Sequence, residues 1–130
     1  MVANLLGVIE MRKISRLASK ALMNHEKFKQ GNTRVEVDSD CTAYLKLFGN
    51  TIAVHNNDGT LNITNCGYST VTTKDRLNAL PSVHIQQRNW DWFLNGEEWN
   101  GGWITVISGT SMNIVDESKA EYIKQQIIGE

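Results

Sequence analysis

Residues 42–66 run TAYLKLFGNTIAVHNNDGTLNITNC, and apolar side chains recur at alternate positions along them. Ala43, Leu45 and Leu47 alternate with Tyr44, Lys46 and Phe48, the pattern of a strand that buries one face. Gly49-Asn50 reads as a tight two-residue turn. Thr51–His55 returns, Asn56-Asn57-Asp58-Gly59 turns again with glycine supplying positive φ, and Leu61–Cys66 runs back. Strands joined by such short connections are antiparallel neighbours. A β-meander therefore forms the middle of the molecule.

Working outward towards the N-terminus, Thr33–Val37 alternates too and precedes the meander as a first strand. Before it, Ile14, Leu17, Ala18, Ala21, Leu22, His25 and Phe28 recur at three- and four-residue spacing, which predicts an amphipathic helix from about Met11 to Phe28. Gly31 and Asn32 stop it. Arg12, Lys13, Arg16, Lys20 and Lys27 fall on the face opposite the apolar one.

Working outward towards the C-terminus, Thr72-Thr73-Lys74-Asp75 predicts a helix start with Thr72 as N-cap. Leu77 and Leu80 follow, and Pro81 ends a helix of about eight residues. Val83–Gln87 and Trp90–Leu94 alternate as strands. Asn95-Gly96 is the strongest hairpin signal in the chain; it pairs Leu94 with Glu97 and, further out, Trp92 with Trp99. Asn100-Gly101-Gly102 turns again into a strand from Trp103 to Ile107. Residues from about Asp116 to Ile128 predict a C-terminal helix with Ala120, Ile123 and Ile127 inward. The expected fold is α+β: an antiparallel sheet, made of the meander and a Trp-rich hairpin, with N-terminal, short central and C-terminal helices.

The chain has 130 residues, 41% hydrophobic and 21% charged, the length and balance of one globular domain. Residues 1–10 precede the clean helical periodicity and are expected to be dispensable. Two cysteines are too few for a disulfide framework and suit a reducing compartment. Val2–Ile9 is too short to span a bilayer and lacks the flanks of a signal peptide, so the cytoplasm is expected and a membrane is not. The net charge is −1, but it is unevenly placed. Between Arg12 and Arg34 stand seven basic residues and one acid; from Asp91 onward stand seven acids and two lysines. Either the two ends lie against each other, or the basic segment meets an acidic partner.

Four segments together, GNTRVEV, LKLFGNTIAVH, LNITNCGYSTVTTKDRLNALPSVHI and WFLNGEEWNG, resemble a family of small bacteriophage proteins. The pieces that carry the likeness are Gly31-Asn32-Thr33, Asn65-Cys66-Gly67-Tyr68, Thr72 to Asn78, and Trp92 to Trp99, within Met11–Trp103. The resemblance implies phage origin and a role inside an infected bacterium. It implies no catalytic residue.

Enzyme signatures are sparse. The chain carries no phosphate-binding glycine loop, no Gly-x-Ser-x-Gly elbow and no His-Glu-x-x-His. Cys66 and His84 have the residue types of a nucleophile and base, and Cys41, Cys66, His55 and His84 those of a zinc set. Neither has motif spacing, and Cys66 reads as a small buried strand residue. Glu97 and Glu98, as strand neighbours, point to opposite faces. Neither a catalytic residue nor a metal nor a cofactor is expected. Binding candidates are the basic residues Lys13, Arg16, Lys20 and Lys27; the helix start with Thr73, Lys74 and Arg76, whose free N–H groups suit anions; Tyr68; and Trp90, Trp92 and Trp99, with Trp103 close by. Clustered tryptophans serve either as core or as contacts for a protein or a base. The expected function is a non-enzymatic, phage-derived binding protein that engages a host protein in host takeover or anti-defence. A nucleic-acid or nucleotide binder is the alternative, and a small enzyme the third reading.

Overall fold

The computed structural model describes residues 2–106. Helix α1 covers Val2–Met23. Strands β1 (Phe28–Gln30), β2 (Thr33–Val37), β3 (Ala43–Leu47), β4 (Asn50–His55) and β5 (Leu61–Ile63) follow. Helix α2 (Val71–Asn78) leads to β6 (Ile85–Arg88), β7 (Asp91–Leu94), β8 (Glu97–Glu98) and β9 (Ile104–Val106). The fold is α+β and every strand pairing is antiparallel. The C-terminal helix expected over 116–128 lies outside the described residues.

The meander packs by alternation. Ala43, Leu45 and Leu47 of β3 are buried while Tyr44 and Lys46 are half-buried. A register shift between Leu45 and Lys46 leaves Ile52 of β4 without a Cα partner. This bulge lets two successive residues, Ile52 and Ala53, both reach the core. Ala18 and Leu22 of α1, Val35 of β2, Leu45, Ile63 and Leu77 of α2 join them in one cluster that extends to Ile85, Trp92, Leu94 and Trp99. Each such large side chain contributes about 1.5–3 kcal/mol relative to exposure.

The Trp-rich hairpin does not extend the meander. Strands β6, β7 and β8 form a separate three-stranded sheet, and only β9 returns, beside β5, to complete a six-stranded sheet of order β1-β2-β3-β4-β5-β9. The crossing is made by Asn100–Trp103 and is anchored at the end of β5. Thr64 Oγ1 and the Asn65 N–H both donate to the Gly101 carbonyl, at 2.8 and 2.9 Å.

Three boundaries depart from the sequence expectation. Helix α1 begins at Val2, not near Met11, and ends at Met23 instead of Phe28. The stop is a Schellman motif: His25 takes φ 54°, its N–H donates to the Leu22 carbonyl, and the Glu26 N–H reaches back to Ala21 at 2.8 Å. Histidine stands where glycine usually marks this cap, and Phe28 becomes a strand residue. The turn after β3 is Phe48-Gly49, one position earlier than expected, with φ 52° and 82°, the two positive values of a type I′ turn. Strand β5 ends at Ile63, and Cys66 lies in the following turn with φ 56°.

Candidate functional site

Helix α2 starts one residue before its expected cap. Thr70, not Thr72, is the N-cap, and its Oγ1 accepts from the Thr73 N–H at 3.1 Å. That phase turns Thr73 and Arg76 inward, to 1% and 3% exposure. Arg76 is a strut between elements: Nε donates to Thr33 Oγ1 at 2.8 Å, and one Nη donates to Ser15 Oγ at 2.7 Å and to the Met11 carbonyl at 3.1 Å. Ser15 in turn donates to Asp75, which lies 3.8 Å from the same guanidinium. Burial pushes the Arg76 pKa down and the neighbouring Asp75 opposes that shift. The expected anion site at this helix start is thus corrected in part. Thr73 and Arg76 tie α2 to α1 and β2, because α2 needs a polar partner where it crosses α1. Lys74 keeps a surface position and donates to Gln87 at 3.2 Å.

Lys13, Arg16 and Lys20 are exposed along α1, whereas Lys27 lies past its end, in the connection to β1. The basic stripe is therefore three residues on the helix with a fourth beyond the turn. Arg12 approaches Asp75 at 4.0 Å.

The tryptophans divide. Trp92 and Trp99 are buried, with ring centroids 6.1 Å apart, and the Trp99 N–H donates to the Trp92 carbonyl across the hairpin. These two are removed from a contact surface, because a cross-strand aromatic pair facing the core fills it. Trp99 Nε1 donates to the Gly102 carbonyl at 2.9 Å. Trp92 Nε1 is buried with no partner among the described residues. Trp90, by contrast, is 90% exposed, and Trp103 is 48% exposed.

Trp90 sits in the two-residue turn between β6 and β7, where Arg88 pairs with Asp91. Asn89 and Trp90 take φ 51° and 75°, again the signs of a type I′ turn. A bulky residue in the left-handed region is unusual, and the second turn position is normally glycine. Beside it, the Arg88 guanidinium stacks 4.7 Å from the Phe93 ring centroid. The hairpin base is fixed by amides. Asn95 receives the His84 N–H and donates to the Ser82 carbonyl, while Asn78 of α2 makes the same two-point clip to Ile85.

A second apolar surface escaped the sequence reading. Phe48, Tyr68 and Val71 are 71%, 53% and 66% exposed, and Phe48, Tyr68, Leu47, Thr70 and Thr73 line a hollow of about 340 Å³. Placing the turn at Phe48-Gly49 would have put Phe48 outward; the alternation alone did not.

The cysteines and histidines regroup. Cys41 and Cys66 are both exposed free thiols, so Cys66 is not the buried strand residue expected. No group of three or more metal-ligating side chains occurs among the described residues. His25, absent from the expected zinc set, meets His55 instead. His25 Nδ1 faces the Cys41 carbonyl at 2.6 Å, and its Nε2 lies 2.9 Å from His55 Nδ1. A carbonyl only accepts, so Nδ1 of His25 carries a proton, and in the neutral ring Nε2 accepts from His55. Burial, and secondly the nearby His25, hold the His55 pKa below its ordinary value. The backbone at Leu22 and Gly59 and the Asp58 carboxylate act the other way.

The model of the Kyanoviridae Gp96 protein family matches residues 11–113. The chain belongs to that family of phage proteins. No curated protein and no solved structure matches it. The match begins where Met11 offers its carbonyl to Arg76 and spans both sheets. Among the described residues no helix is long and apolar enough to cross a membrane.

Proposed function

We propose that this Kyanoviridae Gp96 family member is a non-catalytic binding protein that engages a host protein during infection, in host takeover or anti-defence, and that it does so through the tip of the β6–β7 hairpin. Trp90 carries the reading. An indole left 90% in water forgoes about 2–3 kcal/mol of burial. Its left-handed backbone adds strain of about 1–3 kcal/mol. A folded chain under no other demand places a small residue there. Exposed tryptophan is also the residue type most enriched among interface anchors.

The test is Trp90→Gly, which removes the ring and relieves the backbone together. The variant folds, and a host protein that the unaltered chain captures from bacterial lysate is lost. Equal capture by both forms overturns the assignment to Trp90. A nucleic-acid reading draws on Lys13, Arg16 and Lys20, which are exposed on one helix. It requires binding of a duplex or single-stranded oligonucleotide that weakens steeply with salt. Salt-insensitive or absent binding dismisses it.

A further inference from the structure

Strands β8 and β9 are consecutive in the chain, yet each is the last strand of a different sheet. Among the described residues β8 pairs only with β7, and β9 only with β5. Between the two edges lies an open cleft of about 620 Å³, lined by Trp92, Trp99 and Trp103 and by Asp91, Glu97 and Glu98. This volume falls within the usual range for ligand sites, about 300–1,000 Å³. All three carboxylates belong to exposed residues, and none forms an ion pair among the described residues.

The cleft has two chemical demands. Three carboxylates beside indole faces favour a cation, by charge and by cation–π attraction. The buried Trp92 Nε1, which has no partner among the described residues, requires an acceptor; an orphaned buried donor costs about 1–3 kcal/mol. A simple cation meets the first demand and not the second. A peptide meets both, since its side chains supply guanidinium or ammonium groups and its backbone supplies carbonyls. The flanking edges offer main-chain groups to an extended segment, the mode by which strands add to sheets.

We propose that the β8–β9 cleft binds an extended, basic peptide segment of the partner protein, with arginine or lysine at alternate positions reaching the Trp–Glu wall. The proposal rests on the binding-protein reading above and names the chemistry of that partner. Alternation follows from the strand period of two, which brings every second side chain to one face.

The probe is the acetylated and amidated peptide Ala-Arg-Ala-Arg-Ala-Arg, titrated into the full chain. Binding is followed by tryptophan fluorescence and by the proton–nitrogen signal of the Trp92 indole. The expected result is saturable binding, a moved Trp92 Nε1–H signal, and a Kd raised at least about ten-fold by E97Q/E98Q. Asp91→Asn, read in the same titration, weakens binding in the same direction. The proposal is overturned by absent saturation or by an unchanged Kd in the charge variants. Equal binding of Ala-Glu-Ala-Glu-Ala-Glu overturns it too, as does equal binding of free arginine, which would make the site one for small cations. Nuclear Overhauser contacts from the Trp92 indole to residues 107–130 in the free chain also overturn it, since the cleft would then hold its own C-terminal segment. Peptide titration reads the cleft alone and lysate capture reads the Trp90 tip, so either can fail without the other.

Discussion

Gly101 shows how narrowly a single position can be constrained. Its φ is +90°, and a Cβ built there would stand 2.1–2.5 Å from three atoms of the Asn65 side chain. Asn65 has little room to yield, because it is buried and its Oδ1 receives the Gly67 N–H at 2.8 Å. Gly101→Ala is therefore expected to destabilise the chain by about 1–3 kcal/mol through backbone strain, with the side-chain clash adding to it. A thermal melt indistinguishable from that of the unaltered chain would contradict this close approach. His55 makes a different prediction at the same scale. Its folded pKa is depressed, so the unfolded chain binds the proton more readily. The stability it contributes is fully present above the unfolded value near 6.5 and is lost as pH falls through that value towards the lower folded pKa. The melting temperature is expected to fall between about pH 6.5 and pH 5, and His55→Gln should flatten that segment of the profile. Glu36, Asp38 and Asp58, whose depressed pKa values start from lower model values, act at more acid pH. A profile equally steep in the variant would remove His55 as the cause.

At the scale of elements, the hairpin from β7 to β8 follows its sequence closely. Asn95 and Gly96 take φ 51° and 90°, Leu94 faces Glu97, and the Asn95 amide closes on Ser82 and His84. Gly96→Val places a β-branched residue at left-handed φ and is expected to cost about 1–3 kcal/mol, read as a lower denaturant midpoint with unchanged slope. No change in midpoint would mean the turn type is wrong. The first helix followed its sequence less closely. Its apolar spacing was clear, but its ends were not. A start at Val2 adds turns in which Gly7, Val8, Ile9 and Glu10 are all exposed, so no core contact at those positions marked them. A chain beginning at Met11 is expected to fold with a melting temperature close to that of the full chain. Precipitation of the shortened form would show that the first ten residues pack against something.

At the scale of the whole molecule, the uneven charge resolves on one side only. Lys13, Arg16 and Lys20 lie along exposed α1, and the acids Asp91, Glu97 and Glu98 gather at the β8–β9 cleft. The two groups form no ion pair with each other among the described residues. Changing Lys13, Arg16, Lys20 and Lys27 together to glutamine is expected to move stability by less than about 1 kcal/mol, since exposed charges contribute little. A large loss in the thermal melt would show that the stripe is held inside the fold. The same variant, assayed for capture, separates the basic face from the Trp90 tip.

By itself the sequence determined what nearest neighbours control. Alternation placed the strands of the meander, Asn-Gly placed the β7–β8 turn, and four segments pointed to a phage family. These signals are legible because each depends on residues a few positions apart. Tertiary structure decided the rest. Arg76 and Thr73 looked like surface residues of a helix start, and became struts once α1 and β2 supplied partners more than forty residues distant. His25 found His55 across thirty residues. The hairpin left the meander for its own sheet because β5 took β9 as its neighbour, and that choice alone opened the cleft between two strand edges. Contacts of this kind combine burial with pairing across the chain, and no local period encodes them.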